Sequence, residues 1–242
     1  MKQFSARIKS EEFREWNEKM VTKYDPDAFH HHPSAVVRFI ENRRVKAIFK
    51  LMGRPYKGGG VLEVGCGAGN ILEKVPPGNL FGVDISGFIL TKARQKLGNR
   101  VCLFQADAQN LPFKDQVFKQ VICSEVLEHV LDPSISLQEI TRILGFQGIA
   151  IVSVPNELWI NRLKKILIRL GIFGWLLHRQ GGYDEMPEKM EDEWHLHVLS
   201  LEEWLALFNN FFRVTHLRRI PFFWLPLRYV MRLKKFDEKD HL

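Results

Sequence analysis

A chain of 242 residues with 45% hydrophobic and 26% charged residues is long enough to bury a full core, and its composition excludes disordered and fibrous classes. Met1–Phe13 lacks the apolar run of a secretion signal, no stretch has the uninterrupted apolar length of a bilayer span, and Cys66, Cys102 and Cys123 lack metal-ligand spacing. An intracellular protein with three buried thiols is therefore expected, not a disulfide scaffold or a zinc module.

The net charge of +7 is unevenly spread. Lys and Arg outnumber Asp and Glu by 13 to 7 in residues 1–57 and by 8 to 5 in residues 200–242, whereas residues 58–155 carry 8 against 9 and residues 156–199 carry 6 against 7. A neutral centre with basic flanks suggests an anionic partner such as a lipid surface, a phosphorylated substrate or nucleic acid.

In chain order, Ser10–Val21 and Ser34–Met52 read as helices, the second with Val37, Ile40, Val45, Ile48, Phe49 and Met52 at helical spacing. Between them, His30-His31-His32-Pro33 reads as a solvated loop, with His32-Pro33 a candidate substrate contact at a hinge. Gly58-Gly59-Gly60 leads into a buried strand, Val61-Leu62-Glu63-Val64, and the alternating glycines Gly65, Gly67 and Gly69 form a turn that lets backbone approach a ligand closely. Such a turn before the helix-like stretch Asn70–Val75 marks the nucleotide crevice of an open parallel sheet. Asn70 occupies the position where a dinucleotide fingerprint needs Gly or Ala, and the Glu63 carboxylate would repel a pyrophosphate, so a cationic ligand fits better.

Leu80–Asp84 is a second strand whose terminal carboxylate, 19 positions after Gly65, suits hydrogen bonds from ribose hydroxyls. A helix from Ser86 to about Leu97, a third strand Val101–Gln105, and a fourth, Phe118–Ser124, follow. If Ser124–Val130 is helical, Glu125, Glu128 and His129 share one face. Pro133 opens a helix to about Leu144, and Gly148–Val154 is a fifth strand ending at Pro155-Asn156. Trp159–Leu170 has helical apolar spacing, Ile172–Leu177 forms an apolar knob, and Asp184–Glu193 is an acidic loop. His195 and His197 precede a Ser200-capped helix, Leu201–Asn209, and Arg213–Ile220 is a sixth strand. Pro221 and Pro226 argue against a seventh strand, and Leu227–Phe236 reads as a basic amphipathic helix.

Glu63-x-Gly65-x-Gly67-x-Gly69 resembles the first motif of the class I S-adenosylmethionine-dependent methyltransferases, whose ligand carries an ammonium and a sulfonium. The resemblance runs through connected motifs from Val61 to Pro155 and more loosely to Phe211, and is closest to the small-molecule branch that includes the ubiquinone-biosynthesis O-methyltransferases. It implies one α/β domain with a doubly wound, mostly parallel sheet. That domain would comprise an N-terminal helical lid (1–57), a cofactor-binding core (58–155), a helical cap insert after strand five (156–199) and a C-terminal helix, strand and basic tail (200–242).

It further implies that Glu63, Gly65, Cys66, Gly67, Gly69, Asp84, Ile85, Asp107, Ala108 and Ser124 contact S-adenosylmethionine, with Asp107 reading the adenine and S-adenosylhomocysteine leaving as product. His195, His129 and Glu125 would face the acceptor, His195 as its base. In the quinone O-methyltransferases the counterparts of Glu125, Glu128 and His129 hold a divalent cation, but the same trio recurs in relatives without one, so no metal site is assigned. The acceptor is expected to be a small molecule, lipophilic if the apolar-basic segments Trp159–Leu177 and Phe222–Phe236 lie on the inner face of a membrane. The competing readings are an NAD-dependent oxidoreductase, which Asn70 disfavours, an RNA methyltransferase, for which no RNA module is recognisable, and a non-catalytic cofactor-binding protein.

Overall fold

The computed structural model describes residues 8–9, 11–25, 27, 34–53, 59–171 and 194–236. Among the described residues, two helices precede the sheet, α1 (Phe13–Tyr24) and α2 (Ala35–Met52). Then come β1 (Gly60–Val64), β2 (Leu80–Asp84), α3 (Gly87–Leu97), β3 (Cys102–Gln105), β4 (Phe118–Ser124), α4 (Pro133–Ile143) and β5 (Leu144–Pro155). The chain closes with α5 (Glu157–Arg169), α6 (Leu201–Phe208), β6 (Phe212–Phe222) and β7 (Leu225–Lys235).

The seven strands lie in the order β3-β2-β1-β4-β5-β7-β6, with β1 to β5 parallel and β7 antiparallel to both its neighbours. Successive residues of the central strands enter opposite cores. Val61, Ile122, Ile149 and Ile151 pack with α2 and α3 on one face, while Leu62, Val64, Val121, Cys123, Ala150 and Val152 pack with α4 and α6 on the other. This two-sided burial is why these strands read as continuous apolar runs. The order reverses between β1 and β4, and the carboxyl ends of those two strands form the crevice where open α/β sheets bind ligands.

Several expectations need correction. Residues 225–235 form β7, not a helix: Tyr229, Met231 and Leu233 enter one core and Val230 the other, the period of a strand buried on both faces. The two prolines do not break it, because Pro221 and Pro226 pair with each other at the irregular end of the β6–β7 hairpin, next to a register shift after Ile220. Asn70–Val75 contains only a short 3₁₀ turn, Leu72–Lys74. Cys102 is exposed because β3 is an edge strand, whereas Cys66 and Cys123 are buried. The His30–His32 loop, the Ile172–Leu177 knob and the Asp184–Glu193 loop lie outside the described residues. Among the described residues no helix is long and apolar enough to cross a membrane.

Candidate active site

A cavity of about 340 Å³ opens over the carboxyl ends of β1, β2, β4 and β5. Of the residues expected at the site, Glu63, Gly65, Cys66, Gly67, Asp84, Ile85, Asp107, Ala108, Ser124, Glu125, His129 and His195 all line it. Gly69 does not line it and acts from behind: a Cβ there would sit 2.5 Å from Leu97. Gly65 has φ +67°, and a Cβ on it would meet the Val126 side chain at 2.2 Å, so the turn closes only because neither position carries a side chain.

At this end of the cavity the protein presents mainly backbone and carboxylates. Asp84 accepts hydrogen bonds from the Gly67 and Ser86 amides at 2.8 and 3.0 Å, which fixes its carboxylate between the glycine turn and the start of α3. Burial nevertheless pushes its pKa up to about 6. Glu63 is buried with one oxygen lacking any partner, and burial drives it up to about 8 despite the positive charge of Arg44. An orphaned buried carboxylate facing a cavity is a site for a cation. Asp107 accepts from the Gln109 amide at 2.8 Å and so caps its own turn at the cavity rim.

Helix α1 also reaches this end. Phe13, Asn17 and Val21 line the cavity, Val21 packs with Ala68, Ile89 and Trp194, and Tyr24 stacks on Trp194 at 5.8 Å. Asp25 pairs with Lys92 at 2.6 Å, and Asp27 accepts from Asn70 at 2.8 Å and pairs with Lys96 at 3.1 Å, tying the chain after α1 to α3 and the glycine turn.

The other end is lined by side chains from distant segments. After β4 the chain forms a turn, not the helix on which a shared face depends, with Glu125 at φ +56° and its amide bonded to the Ser153 carbonyl at 3.0 Å. The shared face of Glu125, Glu128 and His129 therefore does not exist. Glu125 turns towards β5 and β7, accepting from Ser153 at 2.8 Å and pairing with Arg228 at 2.6 Å, though the Arg228 Nε–H points off the line of contact. Ser153 also meets Ser124 at 2.8 Å, and Ser124 contacts Arg44, whose guanidinium is held by Glu41 at 2.6 Å.

Glu128 and His129 turn the opposite way, to the segment before α6. His129 Nδ1 lies 3.1 Å from the Trp194 carbonyl, and its ring is 4.7 Å from that of His195. Burial, with His195 nearby, holds His129 well below its ordinary value and hence neutral, while burial and then the Glu125 charge push Glu128 well up. Glu128, His129 and His195 bring one ligand atom each within 4.8 Å of one another. Two imidazoles and one carboxyl are a poor match for the oxygen-seeking magnesium that the Glu125-Glu128-His129 set would have suited, and no ion is assigned to them. His197 faces away, its Nε2 2.8 Å from the Val130 carbonyl, and braces the turn.

Sequence reasoning missed Glu157, Arg228, Arg44 and Trp194. Only Glu157 carried a signal, since it directly follows Pro155-Asn156, the carboxyl end of a central parallel strand.

A glycine-turn crevice at a sheet reversal, with a carboxylate at the tip of the neighbouring strand and an antiparallel final hairpin strand, defines a Rossmann-like methyltransferase fold. Residues 62–152 match the methyltransferase domain family, and over that stretch the chain is similar to class I S-adenosylmethionine-dependent methyltransferases. The chain is 29% identical over 166 residues to the ubiquinone/menaquinone biosynthesis C-methyltransferase UbiE of Geobacter sulfurreducens, covering 62% of this chain and 63% of that one. A solved S-adenosylmethionine-dependent methyltransferase of Thermotoga maritima superposes with a TM-score of 0.63 at 21% identity, covering 93% of this chain and 100% of that one. The N-methyltransferase NodS of Bradyrhizobium japonicum, solved with S-adenosyl-L-homocysteine, gives 0.61 at 14% identity, with 93% and 98% covered. The matched stretches span 59%, 31% and 63% of the first three curated relatives' own lengths.

Proposed function

We propose that the protein transfers a methyl group from S-adenosylmethionine to the hydroxyl of a small, lipophilic acceptor. One observation carries this reading: a single cavity joins a cation-seeking end, with Glu63, Gly67 and Asp84, to an end where His129 and His195 stand ring to ring. In this reading Glu63, Gly65, Cys66, Gly67, Asp84, Ile85, Asp107, Ala108 and Ser124 form the cofactor side, with Gly69 supporting the turn from behind, and Glu125, His129 and His195 the acceptor side.

Bound at the glycine turn, S-adenosylmethionine would supply an electrophilic methyl carbon on a positively charged sulfur. The chain supplies position and a base. Asp84 orients the ribose, Asp107 the adenine, and the ionised form of Glu63 balances the ligand's positive charge. Holding acceptor and methyl in line is worth about 7–11 kcal/mol of the barrier. His195 removes the hydroxyl proton.

The lipophilic acceptor and a membrane surface rest on the rim. The β6–β7 hairpin leaves the sheet beside the carboxyl end of β5, and at its tip Phe222 and Trp224 stack at 5.0 Å, with Phe223 80% and Trp224 59% exposed. Arg43, Arg218 and Arg219 line a surface hollow with that tip, and Leu158, Ile166 and Ile168 of α5, a helix that contacts β7, are exposed. Aromatic residues ringed by arginine suit the headgroup layer of an anionic bilayer.

The test is isotope transfer from methyl-labelled S-adenosylmethionine to a panel of catechols and hydroquinones with and without isoprenoid tails, run with and without anionic vesicles. Labelling of tailed acceptors, enhanced by vesicles and lost on Trp224→Glu, is expected. Label appearing only in RNA, or in no acceptor, would reject the reading.

A further inference from the structure

The acceptor end contains a carboxylate with no role so far. Glu157 is the first residue of α5, its side chain only 3% exposed, with Oε1 2.8 Å from His195 Nδ1 and Oε2 without a partner. We propose that Glu157 is the positioning residue of this site: it holds His195 in the Nδ1–H form and aims the bare Nε2 at the acceptor. This deepens the reading of His195 as the base and rests on it.

The local fold places Glu157 rigidly. Asn156 caps α5 and donates to the Pro226 carbonyl at 2.8 Å and to the Tyr229 hydroxyl at 2.6 Å, so the first turn of α5 is tied to the β6–β7 hairpin. On the other side, the Leu196 and His197 amides donate to the Glu128 carbonyl at 2.8 and 3.1 Å, which seats His195 against the turn after β4. Carboxylate and imidazole thus approach from two independently anchored segments.

The electrostatics keep the carboxylate an acceptor. Burial pushes Glu157 up, but contact with His195 and the charges of Arg228 and Lys164 outweigh it and leave Glu157 below the ordinary carboxylate range. An ionised carboxylate has only lone pairs to offer, so the facing ring nitrogen must carry the hydrogen. The other titratable groups around the ring are Glu128 and His129. The ring N–H is not in line with Oε1 here; catalytic hydrogen bonds are often loose before the substrate binds. No described residue bonds His195 Nε2.

The step balances without further reagents. The acceptor's O–H proton passes to His195 Nε2 as its oxygen bonds the methyl carbon, and the carbon–sulfur bond breaks with its electron pair going to sulfur. His195 becomes an imidazolium beside the Glu157 carboxylate, and both then return the proton to water.

The test is nitrogen-15 NMR on the full chain, labelled at histidine and saturated with S-adenosylhomocysteine, with His195 assigned by its loss in His195→Gln. The wild type should show a protonated Nδ1 and a bare Nε2. Glu157→Leu should shift His195 towards the opposite form and lower turnover by roughly 10²–10⁴-fold, the range of general-base catalysis, with product affinity unchanged. Glu157→Gln keeps an acceptor oxygen and should retain the wild-type form. A wild-type His195 protonated on Nε2, or a folded Glu157→Leu protein with an unchanged spectrum, would overturn the proposal. Since the wild-type spectrum needs no acceptor, a protein that pairs the two residues but transfers no methyl would defeat the functional reading and leave the pairing standing.

Discussion

The two ends of the cavity are held by different kinds of structure. At the glycine-turn end, two backbone amides fix Asp84, and five of the lining residues lie within Glu63–Gly69. At the imidazole end, Glu128, His129, Glu157, His195 and Arg228 come from four separate stretches, and all but Glu128 meet another side chain or a distant carbonyl. The first is local and largely main-chain, so it resists change in most side chains but fails wherever the backbone path is disturbed. The second is a side-chain assembly whose chemistry can be removed one group at a time without losing the fold.

The largest effect separating them should come from His195→Gln. Turnover is expected to fall by roughly two to four orders of magnitude, with S-adenosylmethionine affinity by calorimetry nearly intact. A fully active variant would move the base elsewhere, first to His129.

Gly65→Ala tests the opposite end. It forces a Cβ into Val126 at 2.2 Å on a backbone with φ +67°, and about 2–4 kcal/mol of stability should be lost in denaturant titration. Trimming the obstacle in Gly65→Ala/Val126→Ala should restore part of it. If the single variant is as stable as wild type, the glycine turn is not the constrained structure described here.

Asp84→Ala should weaken cofactor binding by about 1.5–3 kcal/mol, the scale of hydrogen bonds to a charged group. Unchanged affinity would remove the ribose assignment.

The smallest effect concerns protons. Glu63, raised to about 8 in the free protein, is mostly protonated at pH 6.5, and a cationic ligand favours its ionised form. Binding should therefore release up to about one proton, and affinity should rise with pH, by at most about tenfold per unit, until the free protein is itself ionised near pH 8. Calorimetry at pH 6.5 in buffers of different ionisation heat measures this directly, and proton uptake would contradict it.

The same contrast governs what could be read from the chain. The glycine turn and the place of Asp84 at the end of β2 were legible because a backbone-built crevice demands particular residues at fixed short spacing, and the sheet through β5 was legible because two-sided burial leaves unbroken apolar runs. β7 was misread because Pro221 and Pro226 look like two breaks until they are seen paired at a hairpin end. Glu125 was placed with Glu128 because nothing in a non-glycine residue announces φ +56°. Glu157 went unremarked because an acid at the start of a helix is ordinarily solvated, and its burial depends on His195, 38 positions away in sequence.

The attachment of α1, finally, sets a kinetic expectation. The chain after α1 is tied down by two partly exposed ion pairs, Asp25–Lys92 and Asp27–Lys96, and by the Asn70–Asp27 hydrogen bond, in addition to apolar packing of Val21 and Tyr24 in α1 itself. Pairs of that kind weaken as the Debye length shrinks from about 10 Å at 0.1 M salt to about 3 Å at 1 M, whereas apolar packing does not. Ionic strength should therefore act on residence time: spent cofactor is expected to leave faster in high salt, and where departure limits the cycle, each turnover should quicken.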